Sequence, residues 1–250
     1  MSFQEIARIC AALGGFNLGC GWLEARGYEL WRKRIRRALS LYDVVRLDHF
    51  RAFESYWSIP ASAESAVLGE WRRGAGRALI DALLLEGAAG RIIAEDLGDV
   101  GEEVEALRRY SGFPGMRVLE FGSFGDSSPH LPHNFGKNTV AYTATHDNNT
   151  LLGYLYSLGA VERRRVFDYF GIEGDDIDSA VRKIIKNMLA SVADTVIIPV
   201  QDILGFGADT RMNTPGKASG NWAFRVTKEQ LSSIDTAWYR RQNELYFRCK

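Results

Sequence analysis

Four dipeptides in this 250-residue sequence place side chains that could do acid–base or nucleophilic chemistry at the ends of short apolar runs: Asp48-His49, Glu95-Asp96, His146-Asp147 and Gln201-Asp202. Each closes or follows a short apolar, β-branched run. Arg46 stands two residues before Asp48, so in an extended strand both side chains share a face. A guanidinium there favours the ionised carboxylate, the state a nucleophile needs. Glu95 follows Ile92, Ile93 and Ala94, and partial desolvation raises a carboxyl's pKa and keeps a proton for donation to a leaving oxygen. Neighbouring strands lie ~4.8 Å apart. Carboxyls at two such strand ends can approach the ~5–5.5 Å separation of retaining glycoside cleavage. Asp147 is a third carboxylate, able to hold hydroxyls and stabilise developing positive charge. Two other uses of these residues stay open on spacing alone. The acids with His49 and His146 are a feasible metal-ligand set, although neither histidine has an i,i+4 partner. The acids could equally cap helices or pair with surface arginines.

The elements that must position these groups are readable from periodicity. Five segments lack polar alternation and read as buried parallel strands: Tyr42–Asp48, Arg91–Glu95, Met116–Phe121, Thr139–Thr145 and Thr195–Gln201. Apolar positions three and four apart predict helices over Gly27–Ser40, Ala75–Glu86, Val100–Tyr110, Asp176–Val192 and Thr227–Phe247. Strands alternating with helices imply an α/β fold with a parallel sheet. An open doubly wound sheet and a closed barrel both fit. The missing Gly-rich strand-to-helix turn weakens the first, and acids at the carboxyl ends of several strands are the layout of a (β/α)8 barrel. Residues 1–40 offer no sixth strand, so the architecture expected is an incomplete TIM-type barrel.

Charge and composition remove several function classes. Lys+Arg and Asp+Glu are 31 each, which gives no basic surplus for nucleic acid. Hydrophobic residues at 46% supply enough apolar surface to exclude general disorder. No apolar run reaches the ~18–20 residues of a membrane helix, and the N-terminal stretch, with Glu5, Arg8, Gly14 and Gly15, makes a poor signal peptide. Cys10, Cys20 and Cys249 are odd in number and lack metal-ligand spacing, so they are read as reduced thiols of a cytoplasmic protein.

Taken together, GYELWRKRIRRAL (27–39), RLDHFRAFESYWSIP (46–60), IAEDLGDV (93–100), FPGMRVLEF (113–121), LPHNF (131–135), YTATHDNNT (142–150) and QDILGFGADTRMNTPGKASGNW (201–222) resemble the 4-α-glucanotransferases, the amylomaltase or disproportionating-enzyme family. The resemblance implies Asp48 as the catalytic nucleophile, Glu95 as general acid/base and Asp147 as the stabiliser of the transition state. It implies that Arg46, His49 and His146 line the donor sugar site and that Asn213 is a further sugar contact. Tyr56 and Trp57 are read either as stacking platforms for glucose rings or as core. The partners implied are a maltooligosaccharide or 1,4-α-glucan donor and a glucose or glucan acceptor, with no cofactor, metal, nucleic acid or membrane. Members of the family run to about twice this length. Residues 1–250 are therefore expected to be the C-terminal portion of the catalytic barrel, its strands four to eight, with 1–26 matching poorly and Ala52 standing where the family has glycine. A separate N-terminal fragment is a candidate partner. The rival readings are a retaining α-glucan hydrolase and an inactive remnant that needs a partner fragment.

Overall fold

The computed structural model describes residues 20–60, 62–98, 100–122, 127–174 and 176–248. Cys10, Cys249 and the N-terminal stretch through residue 19 lie outside them; Cys20 is a free, half-buried thiol. The chain forms two compact units, Met1–Met116 and Arg117–Lys250.

In the first unit, α1 (Cys20–Ala25) leads through a Gly27-Tyr28 turn into α2 (Glu29–Leu41), whose buried Trp31, Ile35 and Leu39 repeat every four residues. Then come β1 (Val45–Leu47), a 3-10 turn (Phe50–Phe53), and an antiparallel hairpin of β2 (Ser55–Ser58) and β3 (Glu70–Arg73). They are followed by α3 (Gly76–Leu84), β4 (Ile92–Ala94) and α4 (Glu102–Ser111). Three acids in the first turn of α4 and two arginines in its last complement the helix dipole. β1 pairs parallel with β4 in the register Leu47↔Ala94, and β4 pairs parallel with β5 (Gly115–Val118) through Ala94↔Gly115. The core centres on Phe50, Phe53 and Phe113. Trp31 meets Phe53 edge-on at 5.3 Å, and Phe50 meets Phe113 at 6.4 Å. Burying each such ring contributes roughly 1.5–3 kcal/mol.

The second unit contains the end of β5, a 3-10 turn (Leu119–Phe121), β6 (Thr139–Tyr142), α5 (Leu151–Ser157), α6 (Ala160–Phe170) and α7 (Ile177–Ala190). It continues with β7 (Thr195–Ile197), α8 (Val200–Ile203), α9 (Lys228–Ser232) and α10 (Thr236–Leu245). β6 pairs parallel with β7, Val140↔Thr195 to Tyr142↔Ile197, and Leu151, Leu155, Ile184, Ile185 and Met188 build the core behind them.

All five expected strands are present, each shorter than its apolar run, and the fold is α/β. Tyr42 caps α2, its N–H donating to the Ala38 carbonyl at 3.0 Å. Leu119–Phe121 coils, and Pro199, which has no N–H for a ladder, ends the extended run before α8. The single helix expected over Thr227–Phe247 is two, because the Asp235 carboxylate accepts from the Trp238 N–H at 3.0 Å and starts α10 afresh. Among the described residues no helix is long and apolar enough to cross a membrane.

Candidate active site

The first unit brings together Arg46, Asp48, His49 and Glu95. Arg46 and Asp48 share a face as alternation demands, and an Arg46 Nη donates to Asp48 Oδ1 at 2.6 Å. The Arg46 Nε is turned to the Met116 sulfur, 3.2 Å away. One step beyond the last paired residues, Leu47 and Ala94, come Asp48 and Glu95, on neighbouring strands. Burial pushes the Glu95 carboxyl up to about 7, against the lowering effects of Arg46 and of two backbone donors. Those donors are the His49 N–H, at 2.6 Å from Oε2, and the Leu97 N–H, at 3.1 Å from Oε1. Burial also lowers the His49 imidazole, leaving it the neutral ring at neutral pH.

Asp96 turns the other way. It is 5% exposed, accepts from the Met116 N–H at 2.6 Å and faces Arg108 Nε at 3.3 Å. It clamps β4 to β5, and Gly115 leaves the room for it: a Cβ there would lie 2.3 Å from Asp96 Oδ2. Trp57 is engaged in the hairpin, its Nε1–H bound to the Ala66 carbonyl at 2.8 Å and its ring edge-on to Trp71 at 5.4 Å. Arg51 covers a face of Trp71 at 4.3 Å. Hairpin packing is thus the use this geometry gives Trp57, and Tyr56 beside it is half-buried.

The second unit brings together His146, Asp147 and Asn213. Asn213 Nδ2 donates to Asp147 Oδ1, and the Asn213 N–H bonds the His146 carbonyl at 3.1 Å. His146 Nε2 stands 3.4 Å from Asp147 Oδ2. Two residues that sequence reasoning did not single out complete this arrangement. Arg211 donates to the Asp147 carbonyl at 2.6 Å and to the Asn213 carbonyl at 2.8 Å. Trp222, 55% exposed and in the left-handed region, lays its ring against His146 at 5.3 Å. Both lie in the quoted run around Asn213, which was their only signal. A cavity of about 140 Å³ in this unit is lined by His146, Asn148, Gln201, Asp202 and Arg211 among others.

Two acids of the second unit, the buried Asp202 and the half-buried Glu120, were read differently or missed. Asp202 holds the end of β6 to the start of α5: Thr143 Oγ1 donates to Oδ2 at 2.6 Å and the Leu151 N–H to Oδ1 at 2.7 Å. Burial pushes it up to about 6. Glu120 was hidden inside the overlong third strand. With β5 ending at Val118, it becomes another strand-end carboxyl, pushed up to about 9 by burial and by Asp202. Among the described residues no three His, Cys, Asp or Glu side chains are grouped so as to hold a metal ion, and His49 and His146 belong to different units.

Residues 21–231 match the family model described as 4-alpha-glucanotransferase. The chloroplastic/amyloplastic 4-alpha-glucanotransferase of Arabidopsis thaliana is 45% identical over 206 residues, covering 82% of this chain and 35% of the relative. That of Thermus thermophilus is 41% identical over 216 residues, covering 84% of this chain and 43% of its own length. Among solved structures, the amylomaltase of Streptococcus agalactiae in complex with acarbose aligns with a TM-score of 0.85 at 32% identity, covering 91% of this chain and 46% of that one. The chain thus spans between a third and a half of the length of the relatives it matches.

Proposed function

This chain belongs to the 4-alpha-glucanotransferase family, and from that premise we propose that it carries the acids for moving a 1,4-α-glucan segment onto the 4-hydroxyl of glucose or another glucan, with retention. Glu95 donates its proton to the glycosidic oxygen as Asp48 attacks the anomeric carbon. The bond to the leaving fragment breaks, and that fragment departs with the proton. Glu95, now a carboxylate, takes the proton of an acceptor hydroxyl whose oxygen displaces Asp48 from the anomeric carbon. Asp147 stabilises the positive charge that develops on the ring, while Arg46, His49, His146 and Asn213 hold donor hydroxyls. The five strands are, in this reading, the fourth to eighth of an incomplete barrel, a reading supported by the coverage of 46% of the acarbose-bound amylomaltase.

The observation that carries the proposal is the opposite treatment of two neighbouring carboxyls. Asp48 has a guanidinium at 2.6 Å. Glu95 is buried and pushed up to about 7, which keeps a proton to give. Two carboxyls at adjacent strand ends, one paired with a guanidinium and the other buried with a raised pKa, suit the nucleophile and the acid of retaining chemistry.

Maltotriose is the discriminating substrate. Longer glucans plus glucose support transfer, whereas growth of reducing ends without longer products means hydrolysis. The chain is assayed alone and again with the N-terminal half of a relative added as a separate polypeptide. A slow fluoroglucoside should label Asp48 covalently, and Asp48→Ala should abolish that label. Label on any other residue, or normal turnover by Asp48→Ala, overturns the assignment.

A further inference from the structure

The ladder between β1 and β4 carries an extra residue at the active-site end. In a regular parallel ladder the Glu95 N–H bonds the Leu47 carbonyl and the Glu95 carbonyl receives the N–H of residue 49. The first bond is present at 2.9 Å, but the Glu95 carbonyl receives the N–H of Phe50, also at 2.9 Å. His49 is therefore a one-residue bulge, with φ 51° and ψ 52° in the left-handed region. Its N–H, released from the ladder, donates to Glu95 Oε2 at 2.6 Å. Backbone strain of this sort persists where the surroundings enforce it, and it clusters at functional sites.

We propose that His49 is a positioning residue through its main chain: its left-handed bulge frees one amide from the ladder to aim and hold the Glu95 carboxyl, independently of any contact its imidazole makes with sugar. The catalytic meaning of that positioning rests on the reading of Glu95 as acid/base given above; the positioning itself does not. The Leu97 N–H holds the other oxygen, so the carboxyl plane is fixed by two backbone donors rather than by mobile side chains. The charged groups acting on Glu95 are Arg46 in β1 and Asp48 just beyond its end, with the titratable His49 ring at the bulge; Asp96 is turned to Met116 and Arg108. The bulged amide favours the charged form, so removing it raises the Glu95 pKa and leaves the acid protonated to higher pH.

The test compares substitutions that all delete the imidazole. Asn and Gly accept the left-handed region, whereas a β-branched residue does not, and proline has no N–H to donate. Glu95 is titrated in the 250-residue chain by carbon-13 NMR of the glutamate carboxyls, its resonance assigned by loss in Glu95→Gln. His49→Asn and His49→Gly should titrate together, and His49→Val and His49→Pro about one unit higher, the size expected for one lost bond to a charged acceptor. Equal titration of His49→Asn and His49→Val, or an unchanged Glu95 in His49→Pro, overturns the proposal. Should proline prevent folding, the Asn and Val pair decides alone. In turnover of maltotriose, the alkaline limb should move upward for Val relative to Asn. If no version turns over maltotriose, with or without the added N-terminal half of a relative, the functional reading fails, while the titration still judges the positioning.

Discussion

Replacing Glu120 by glutamine should stabilise the protein, and by an amount that grows with pH. The Glu120 carboxyl is pushed from 4.5 up to about 9 by burial and by Asp202. Below the unfolded value both states hold the proton. Between that value and about 9 only the folded chain holds it, so this group's contribution falls as pH rises, by about 1.4 kcal/mol per unit. At pH 7 the accumulated loss is about 3 kcal/mol, and glutamine, neutral at every pH, does not suffer it. The amide has its own disadvantage. Oε1 is buried and has no hydrogen-bond partner among the described residues, so an NH2 placed there leaves a donor unmet, and Glu120 keeps some solvent contact that softens the penalty. A net gain of about 2 kcal/mol at pH 7 remains.

For a chain of this length that is a rise in Tm of about 4–8 °C. Thermal unfolding of wild type and Glu120→Gln, followed by circular dichroism at pH 4, 5.5, 7 and 8.5, reads it directly. The difference should be close to zero or slightly negative at pH 4 and widen steadily toward pH 8.5. Asp202 also loses stabilising influence as pH rises, but it is present in both proteins and largely cancels. Two curves that run parallel across this range would show that Glu120 ionises normally in the folded chain, and the reasoning from burial would be wrong.

Three further outcomes follow from the geometry. Gly115→Ala places a methyl 2.3 Å from Asp96 Oδ2, a carboxyl held by two donors, so stability to urea should fall by about 2–3 kcal/mol. Asn213→Ala removes the donor to Asp147 Oδ1 and should lower kcat on maltotriose about tenfold with a smaller effect on KM, as a group orienting a charge-stabilising carboxylate should. With Glu95 as the proposed acid and its carboxyl pushed up to about 7, kcat should decline as pH rises through that value. A plateau to pH 9 would remove Glu95 from the acid's role.

Much of the candidate site was legible because it follows from period two and from register. Arg46 and Asp48 had to share a face, and the strand ends at Asp48 and Glu95 had to be neighbours once β1 and β4 paired. What escaped has identifiable causes. Strand ends are poorly marked by apolar runs, so Glu120 was absorbed into a strand that stops at Val118. The hairpin of β2 and β3 is joined by residues 59–69, too long a connection to carry a two-residue turn signal. α5 begins where Thr150 accepts from the Gly153 N–H at 3.0 Å, an N-cap that merges into the polar run after β6. Trp222 on His146 is a contact across 76 positions, and no local pattern encodes it.

Glu95 and Asp96 show how far position outweighs residue type. They are adjacent acids at one strand end, yet alternation turns them to opposite faces. Asp96 meets the Met116 N–H and Arg108 and is a clamp, while Glu95 meets two loop amides and remains near neutral pH in its titration. Their amide variants should therefore fail in different ways. Asp96→Asn puts an NH2 where one of two donors now points, and stability should fall by about 2 kcal/mol. Turnover measured well below the lowered Tm should be nearly normal. Glu95→Gln removes no fixed charge at pH 6 and should unfold close to wild type, yet turnover should drop by roughly 10²–10⁴-fold. If Asp96→Asn loses as much turnover as Glu95→Gln at a temperature where both are folded, the division of labour read from the strand's two faces is wrong, and the two carboxyls act as one unit.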